Sequence, residues 1–186
     1  MGYGWSAKGT CNVQKWCKTI TSKATIDMEI KRIDDEAKHR GVETHYANGQ
    51  LKSRTNYKDG KRDGLSEVWY PTGQQLSRTN YKNGERNGLR ELWYENGQQW
   101  ERGTYKNGER DGLHETYYDN GQLESRANYK NGKRDGLCEV WYENGQLESR
   151  ETYKNGERNG LSESWLENGQ LESRANYKDG NLDGLW

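Results

Sequence analysis

A repeat of 24 residues runs through most of this 186-residue sequence and constrains its fold more than any other feature. One unit reads YKDGKRDGLSEVWYPTGQQLSRTN from Tyr57, and near copies follow it without insertion or deletion. The copies begin at Tyr81, Tyr105, Tyr129 and Tyr153, with partial units from Glu43 and from Tyr177. A fixed period of this length is typical of repeat proteins, in which each unit rests on its neighbours. We therefore predict a repeat domain over residues 43–186 and a separate N-terminal segment over residues 1–42.

The turn signals within each unit predict strands rather than helices. Each unit carries three glycines and Asn-Gly or Asp-Gly dipeptides, which interrupt helices. In the unit from Tyr129, Asn131-Gly132 and Asn144-Gly145 are typical two-residue hairpin turns with positive φ at both positions. The predicted fold class is therefore all-β, an elongated single-layer antiparallel β-meander of repeated 24-residue hairpins.

A two-residue turn at Asn144-Gly145 also predicts a register. Counting outward from that turn pairs Trp141 with Glu148. It also pairs Glu139 with Arg150, so that opposite charges face each other across the strands. The same pair recurs in the other units as Glu43/Arg54, Glu67/Arg78, Glu91/Arg102, Glu115/Arg126 and Glu163/Arg174.

Because side chains alternate along a strand, the register divides them between two faces. The tyrosine face carries the row from Tyr81 to Tyr177 with small residues such as Ser125 and Ala127. We place on it also the row Tyr70, Tyr94, Tyr118 and Tyr142. The tryptophan face carries Trp69, Trp93, Tyr117, Trp141 and Trp165 among Glu and Arg. Neither face is apolar enough for a thick core, so we expect one layer stabilised by ladders of side chains.

Composition narrows the classes of function. Only 29% of the residues are hydrophobic, and 29 basic residues balance 29 acidic ones, so the chain has no electrostatic footprint for nucleic acid or anionic lipid. The sequence has no apolar run of signal-peptide or membrane-span length. Three cysteines are too few for a disulfide framework. We therefore expect a cytoplasmic protein without nucleic-acid or membrane partners.

The residue patterns of known active sites do not occur in this sequence. The spacing of Cys11 and Cys17, even with His39 and His45, does not match common zinc ligands. Cys138 and the residues equivalent to it occupy a variable position of the repeat. We expect no enzyme activity, no metal and no cofactor.

The spacing of Tyr, Asn/Asp-Gly, Gly-Leu, Trp-Tyr and Asn-Gly-Gln resembles the MORN repeat, and more closely its bacterial variant in proteins of the YwqK-type antitoxin family. The resemblance covers roughly residues 43–186. It implies an elongated antiparallel sheet that acts as a protein-interaction scaffold without catalysis of its own. The antitoxin label further implies a toxin that the scaffold binds and neutralises.

The tryptophan face supplies the candidate binding residues, because Trp, Tyr and Arg dominate interface hot spots. Trp100 stands where other units have Glu124, Glu148 and Glu172, and the predicted register puts it opposite Trp93. The candidate partner-binding residues are Trp69, Trp93, Trp100, Arg102, Tyr117, Arg126, Trp141, Arg150 and Trp165.

Two other classes of function stay open. Trp- and Tyr-rich hairpin repeats also resemble choline-binding repeats, which would make the chain a carbohydrate or cell-wall binding module. The chain could instead be a structural spacer that associates with itself through an open C-terminal sheet edge.

The N-terminal segment follows a different pattern. Its alternation of Ile26, Met28 and Ile30 with polar residues predicts a strand. We therefore expect residues 1–42 to be either a strand-containing cap on the first repeat or a degenerate repeat.

Overall fold

The computed structural model describes residues 25–29, 31 and 39–185, and it divides into two units, residues 1–38 and 39–186. In the second unit, thirteen antiparallel strands form one sheet in which each strand pairs with the strands next to it in sequence. The strands are β1 (His39–His45), β2 (Leu51–Lys58), β3 (Lys61–Trp69), β4 (Gln75–Lys82), β5 (Glu85–Trp93), β6 (Gln99–Lys106), β7 (Glu109–Tyr117), β8 (Leu123–Lys130), β9 (Lys133–Trp141), β10 (Leu147–Lys154), β11 (Glu157–Trp165), β12 (Leu171–Lys178) and β13 (Asn181–Leu185). The predicted all-β meander is confirmed.

The predicted strand around Ile26 is wrong, because residues 25–29 and 31 are helical. The side chains of Ile26 and Met28 are 44% and 65% exposed, so the alternation does not mark a buried face. Five alternating residues are too few to separate the period of a strand from that of a helix. No helix of the described residues is long and apolar enough to cross a membrane.

The turn between β8 and β9 has the predicted geometry. Asn131 and Gly132 have φ of 49° and 75°, and the flanking residues Lys130 and Lys133 pair directly. Positive φ at both central residues is the mark of the hairpin turn whose twist suits the flanking strands. Asn or Asp with positive φ recurs at the equivalent positions Asp59, Asn83, Asn107, Asn155 and Asp179.

The turn between β9 and β10 is longer than predicted. The Gly145 N–H donates to the Tyr142 carbonyl, and the Tyr142 N–H donates to the Gln146 carbonyl, each at 2.8 Å. Of these residues only Gly145 has positive φ, at 84°, which is a three-residue turn ending in a glycine bulge. The bulge shifts the register, so Trp141 pairs with Leu147 instead of Glu148.

The predicted register returns after Glu148, an extra residue of β10 without a partner in β9. Glu139 pairs with Arg150, and the equivalent Glu–Arg pairs align in the other hairpins of this type. The register therefore differs from the predicted one by one residue at the turn and agrees with it further along the strands.

A second irregularity lies in β9 opposite Asn128. Ala127 pairs with Cys138 and Tyr129 pairs with Arg134, so three residues of β9 face the single residue Asn128. Gly136, within this segment, has φ of 110°, a conformation that favours glycine. Three residues opposite one leave the alternation of β9 intact, so Arg134 lies on the tyrosine face with Cys138 while Leu137 lies on the tryptophan face with Glu139.

The sheet is one layer thick. No side chain of the described residues is fully buried, and the few buried hydrophobic residues are Leu92, Tyr105, Ala127 and Cys138. Stability therefore depends on contacts between neighbouring units rather than on a common core.

Turn tyrosines connect successive units. The Tyr118 hydroxyl donates to the Trp141 carbonyl at 2.7 Å, and the Tyr142 hydroxyl donates to the Trp165 carbonyl at 2.9 Å. Equivalent bonds of 2.7–3.0 Å are made by Tyr46, Tyr70 and Tyr94. The Tyr94 ring also packs against Trp100 of the next strand, 6.0 Å between centroids.

Candidate protein-binding face

The tryptophan face combines aromatic and charged side chains in regular rows. Strand alternation places Glu139 and Trp141 of β9 on the same side as Arg126 of β8 and Arg150 of β10. The five aromatic residues at the ends of the odd-numbered strands are half-buried: Trp69, Trp93, Tyr117, Trp141 and Trp165. The predicted aromatic row therefore exists, with part of each ring exposed.

Glu139 shows how the charges on this face are held. Its side chain is 4% exposed and accepts hydrogen bonds from Arg126 at 2.7 Å and from Arg150 at 3.0 Å. Burial raises the pKa of the Glu139 carboxyl, but these two hydrogen bonds and the charges of the arginines outweigh it, so the net pKa is lowered. The carboxylate is ionised at neutral pH and fixes both guanidinium groups.

The arginines stay accessible while they hold the glutamates. Arg126 and Arg150 are 43% and 47% exposed, and Arg126 lies over the Trp141 ring at 5.5 Å from its centroid. Arg54 lies over Trp69 in the same way, at 5.9 Å. A guanidinium group on an indole face is attractive by about 0.5–1 kcal/mol at exposed sites. The rings thus pre-organise the arginines without burying them.

Trp100 is the most exposed tryptophan of the described residues, at 43%. The sequence predicted that it lies opposite Trp93, but Trp93 pairs with Gln99, because the glycine bulge of the preceding turn moves the register by one residue. The Trp100 ring packs against Tyr94 instead, with an angle of 42° between the rings. Arg102, two residues away, is 54% exposed and lies 3.9 Å from the Glu91 carboxylate.

A row of exposed leucines on the same face was missed by the sequence analysis. Leu113, Leu137 and Leu161 are 43%, 39% and 40% exposed, and each follows the positive-φ glycine of an Asp-Gly-Leu or Asn-Gly-Leu segment. They follow by simple alternation from the glutamates and aromatic residues of the same strands, as Leu137 does from Glu139 and Trp141, so this row could have been counted from the sequence. Successive leucines are two strands apart, about 10 Å at roughly 4.8 Å per strand.

On the tyrosine face, arginines alternate with the predicted tyrosines in a continuous ladder. Arg134 pairs across the strands with Tyr129, and its guanidinium group lies 5.2 Å from the ring centroid of Tyr153. The other stacked pairs, at 5.2–5.3 Å, are Arg62/Tyr81, Arg86/Tyr105, Arg110/Tyr129 and Arg158/Tyr177. The two-residue turns place each Tyr opposite an Arg five residues later, so this row could have been counted from the sequence.

His114 and Cys138 lie near the centre of the tyrosine face. His114 is 4% exposed, occupies the space beside Gly103 and has edge contacts with Tyr105 and Tyr129 at 5.3 and 5.6 Å. Burial, with a smaller effect of Arg110, lowers the pKa of His114 to about 4. Burial raises the pKa of the Cys138 thiol. Both side chains are therefore uncharged at neutral pH.

Within the described residues, no group of three or more His, Cys, Asp or Glu side chains could hold a metal ion. Cys11 and Cys17 lie outside the described residues.

Among the solved structures that this chain resembles are two structures of TarM. One is titled as the crystal structure of TarM, and the other is of an S. aureus TarM mutant in complex with Fondaparinux, alpha-GlcNAc-glycerol and UDP. Each is 12% identical to this chain with a TM-score of 0.33 and covers 78% of it. The chain spans 25% of the length of either TarM chain. No curated protein matches the sequence.

Comparison with family models gives six matches along the chain. The matching model is described as a MORN repeat variant, and it covers residues 42–59, 62–83, 86–107, 110–131, 134–155 and 158–179. Together these segments make up more than half of the sequence, and each contains one of the repeated turn and strand patterns described above. The chain therefore belongs to the MORN repeat variant family.

Proposed function

We propose that this repeat scaffold is a non-enzymatic protein that binds a protein partner through its tryptophan face. The observation that carries the proposal is the exposure of Trp100 at 43%, two residues from Arg102 at 54%, together with the row of exposed leucines that shares the tryptophan face with Arg102. Tryptophan and arginine are enriched among residues that dominate binding energy at interfaces. A monomeric sheet gains no stability from leaving such side chains in water.

The charges on this face suit a protein partner better than a polyanion. Arginines and glutamates alternate along it, and the whole chain has 29 residues of each sign. Such a surface does not attract phosphate backbones in general, but it fixes the register of a partner with a complementary pattern. Glu139, which is buried between Arg126 and Arg150, also holds both in place before binding, which lowers the entropy cost of association.

The resemblance to YwqK-type antitoxins suggests what the partner is. Within the proposal, the scaffold is the antitoxin or immunity component that binds and neutralises a toxin in the cytoplasm. The extended row of equivalent sites would allow several units to contact one toxin surface, so that affinity depends on many modest contacts.

A structural spacer is the second candidate, and the inter-unit hydrogen bonds of the turn tyrosines favour it. Bonds of 2.7–3.0 Å from five tyrosines connect consecutive units, which stiffens the sheet along its length. A spacer needs this stiffness but gains nothing from an exposed tryptophan. A carbohydrate-binding module would use the exposed rings as stacking platforms for sugars.

The test is affinity capture with two variants that differ only in where they add a charge. Trp100→Glu introduces the residue found at Glu124, Glu148 and Glu172, so the strand is expected to accept it. Ser173→Glu introduces the residue found at the equivalent position Glu101, on the tyrosine face. Both variants should show unchanged circular dichroism.

We expect the wild type and Ser173→Glu to retain the same protein from a lysate of the source organism, and Trp100→Glu to lose at least tenfold of it. Growth inhibition by that protein, relieved when the scaffold is co-expressed, would support the antitoxin role. Equal capture by all three forms, or capture of glycans alone, would overturn the proposed function.

A further inference from the structure

A cavity of about 60 Å³ lies on the tyrosine face between β7 and β9. Roughly 10–15 Å³ suffices for one water molecule, so this cavity has room for a small group of several heavy atoms. The lining residues that matter here are Arg110, His114, Ala127, Tyr129, Arg134 and Cys138.

The cavity has a positive charge that no side chain of its lining offsets. Arg110 and Arg134 both line it, and among the described residues neither is in an ion pair with a carboxylate. His114 and Cys138 are uncharged at neutral pH, as described above. Two acidic residues of this face adjoin the lining, and each is in an ion pair with another arginine. Glu101 lies 4.0 Å from His114 Nδ1 and pairs with Arg90, and Glu151 lies across from Cys138 and pairs with Arg158. The cavity therefore has two guanidinium groups beside it, those of the half-buried Arg110 and the exposed Arg134.

The next unit shows what such a site holds. The residue equivalent to Ala127 is Glu151, whose carboxylate lies 2.6 Å from the Arg158 guanidinium group and accepts a hydrogen bond from the Tyr153 hydroxyl at 2.6 Å. Arg158 and Tyr153 are the equivalents of Arg134 and Tyr129. The equivalent Arg and Tyr thus contact a carboxylate in one unit, whereas the unit before has Ala127, without a carboxylate, at the same position.

The other units fill this position in different ways. Thr55 and Thr79 are buried there, at 8% and 6% exposure, and Thr55 shares a hydrogen bond of 2.8 Å with Ser66. At Gly103 the His114 ring takes the space. At Ala175 the arginine is replaced by Leu182. Within the described sheet, the unit of Ala127 combines a small side chain with both flanking arginines.

From this internal comparison, we propose that the cavity beside Ala127 binds an external carboxylate group between Arg110 and Arg134, in the place that the Glu151 side chain occupies one unit further on. Arginine binds carboxylates by charge-assisted hydrogen bonds, and the Tyr129 hydroxyl, which already accepts from Arg110 at 3.2 Å, can donate to the bound oxygen. The site lies on the tyrosine face, away from the arginine and leucine rows of the tryptophan face, so it goes beyond the proposed function and is tested separately from it.

A carboxylate could come from a small organic acid or from an Asp or Glu side chain of a protein. Two probes distinguish these sources: sodium acetate, and the capped peptide acetyl-Gly-Glu-Gly-amide, in which the glutamate side chain has the sole carboxylate. Sodium chloride at equal ionic strength controls for screening, and sodium phosphate tests whether any anion suffices.

The experiment follows the arginine Nε–H and His114 ring signals of the full chain by NMR while each probe is added. We expect saturable shifts of the Arg110, Arg134 and His114 signals with acetate, with the peptide or with both, and none with chloride. Saturation at a lower concentration of peptide than of acetate would assign a protein side chain as the source, and the reverse order would assign a small acid.

Three variants make the assignment specific. Ala127→Glu supplies the carboxylate internally and should abolish the response, whereas Ala175→Glu adds the same charge where Leu182 replaces the arginine and should leave the response intact. Arg134→Leu copies Leu182 and should weaken binding at least tenfold. Any of three results would overturn the proposal: a response that survives in Ala127→Glu, signal shifts with chloride alone, or saturation by phosphate at a lower concentration than by either carboxylate probe.

Discussion

Replacing Tyr118 with phenylalanine tests whether the turn tyrosines hold neighbouring units together. The change keeps the ring and removes only the hydroxyl that donates to the Trp141 carbonyl at 2.7 Å. A neutral hydrogen bond of this kind contributes about 0.5–1.5 kcal/mol, and its loss leaves a part-buried carbonyl without that donor. We therefore expect a loss of about 1 kcal/mol in the free energy of unfolding.

For a sheet of this length, 1 kcal/mol corresponds to a fall in Tm of about 2–4 °C. Thermal and urea unfolding followed by circular dichroism would measure it. The matched control is Tyr117→Trp, which removes the hydroxyl of the adjacent tyrosine and introduces the residue found at the equivalent Trp93 and Trp141. An unchanged Tm for Tyr118→Phe, or an equal loss in the control, would refute the role assigned to the inter-unit bond.

Three further predictions concern pH and backbone conformation. Because burial lowers the pKa of His114 to about 4 while an unfolded histidine titrates near 6.5, its contribution to stability should be full above about pH 6.5 and fall by roughly 2–4 kcal/mol as the pH drops through about 4. His114→Ser introduces the residue found at the equivalent positions Ser66 and Ser162. Thermal unfolding of this variant should lack this part of the pH dependence. Glu139→Gln should lower the free energy of unfolding by about 1–2 kcal/mol at pH 7, since two half-exposed arginines lose their charged partner. The loss should be smaller at pH 3, because the pKa of Glu139 is lowered in the folded state and its stabilising effect is therefore lost as the pH falls. Urea unfolding at both pH values checks this. Gly136→Ala should cost about 1–2 kcal/mol in urea unfolding because φ is 110°, whereas Gly41→Ala, without positive φ, should cost less than half of that.

The strand pattern could be predicted from the sequence because its determinants are local and repeated. Asn131-Gly132 takes positive φ at both residues, and Glu139 pairs with Arg150 as charge matching indicates. Both signals recur in every unit, so one correct interpretation extends along the whole sheet.

The second turn could not be predicted in the same way, because the same dipeptide adopts a different conformation there. The Asn144 side chain accepts from the Gln146 N–H at 2.9 Å and donates to the Glu167 carbonyl at 3.1 Å. The second of these bonds reaches the next unit, so the choice of turn depends on a neighbour 23 residues away. A local rule for Asn-Gly does not contain that contact.

The candidate site was predicted in part. The aromatic and arginine rows of the tryptophan face follow from alternation, and so does the row of exposed leucines such as Leu137, which the sequence analysis did not count. The variable position of the repeat, occupied by His114 and Cys138, was given no role, since the sequence does not show that it lies at the centre of a face. The cavity beside it becomes visible only when equivalent positions of the folded sheet are compared, because Ala127 lacks the carboxylate that Glu151 supplies in the next unit.

The most direct test of the protein-binding face is a footprint of the captured partner on the scaffold. Side-chain labelling of the free and partner-bound chain, read by mass spectrometry, would report protection at each exposed residue. The account predicts protection of Trp100, Arg102 and the exposed leucines Leu113 and Leu137. Full labelling of these four side chains in the bound state would contradict it.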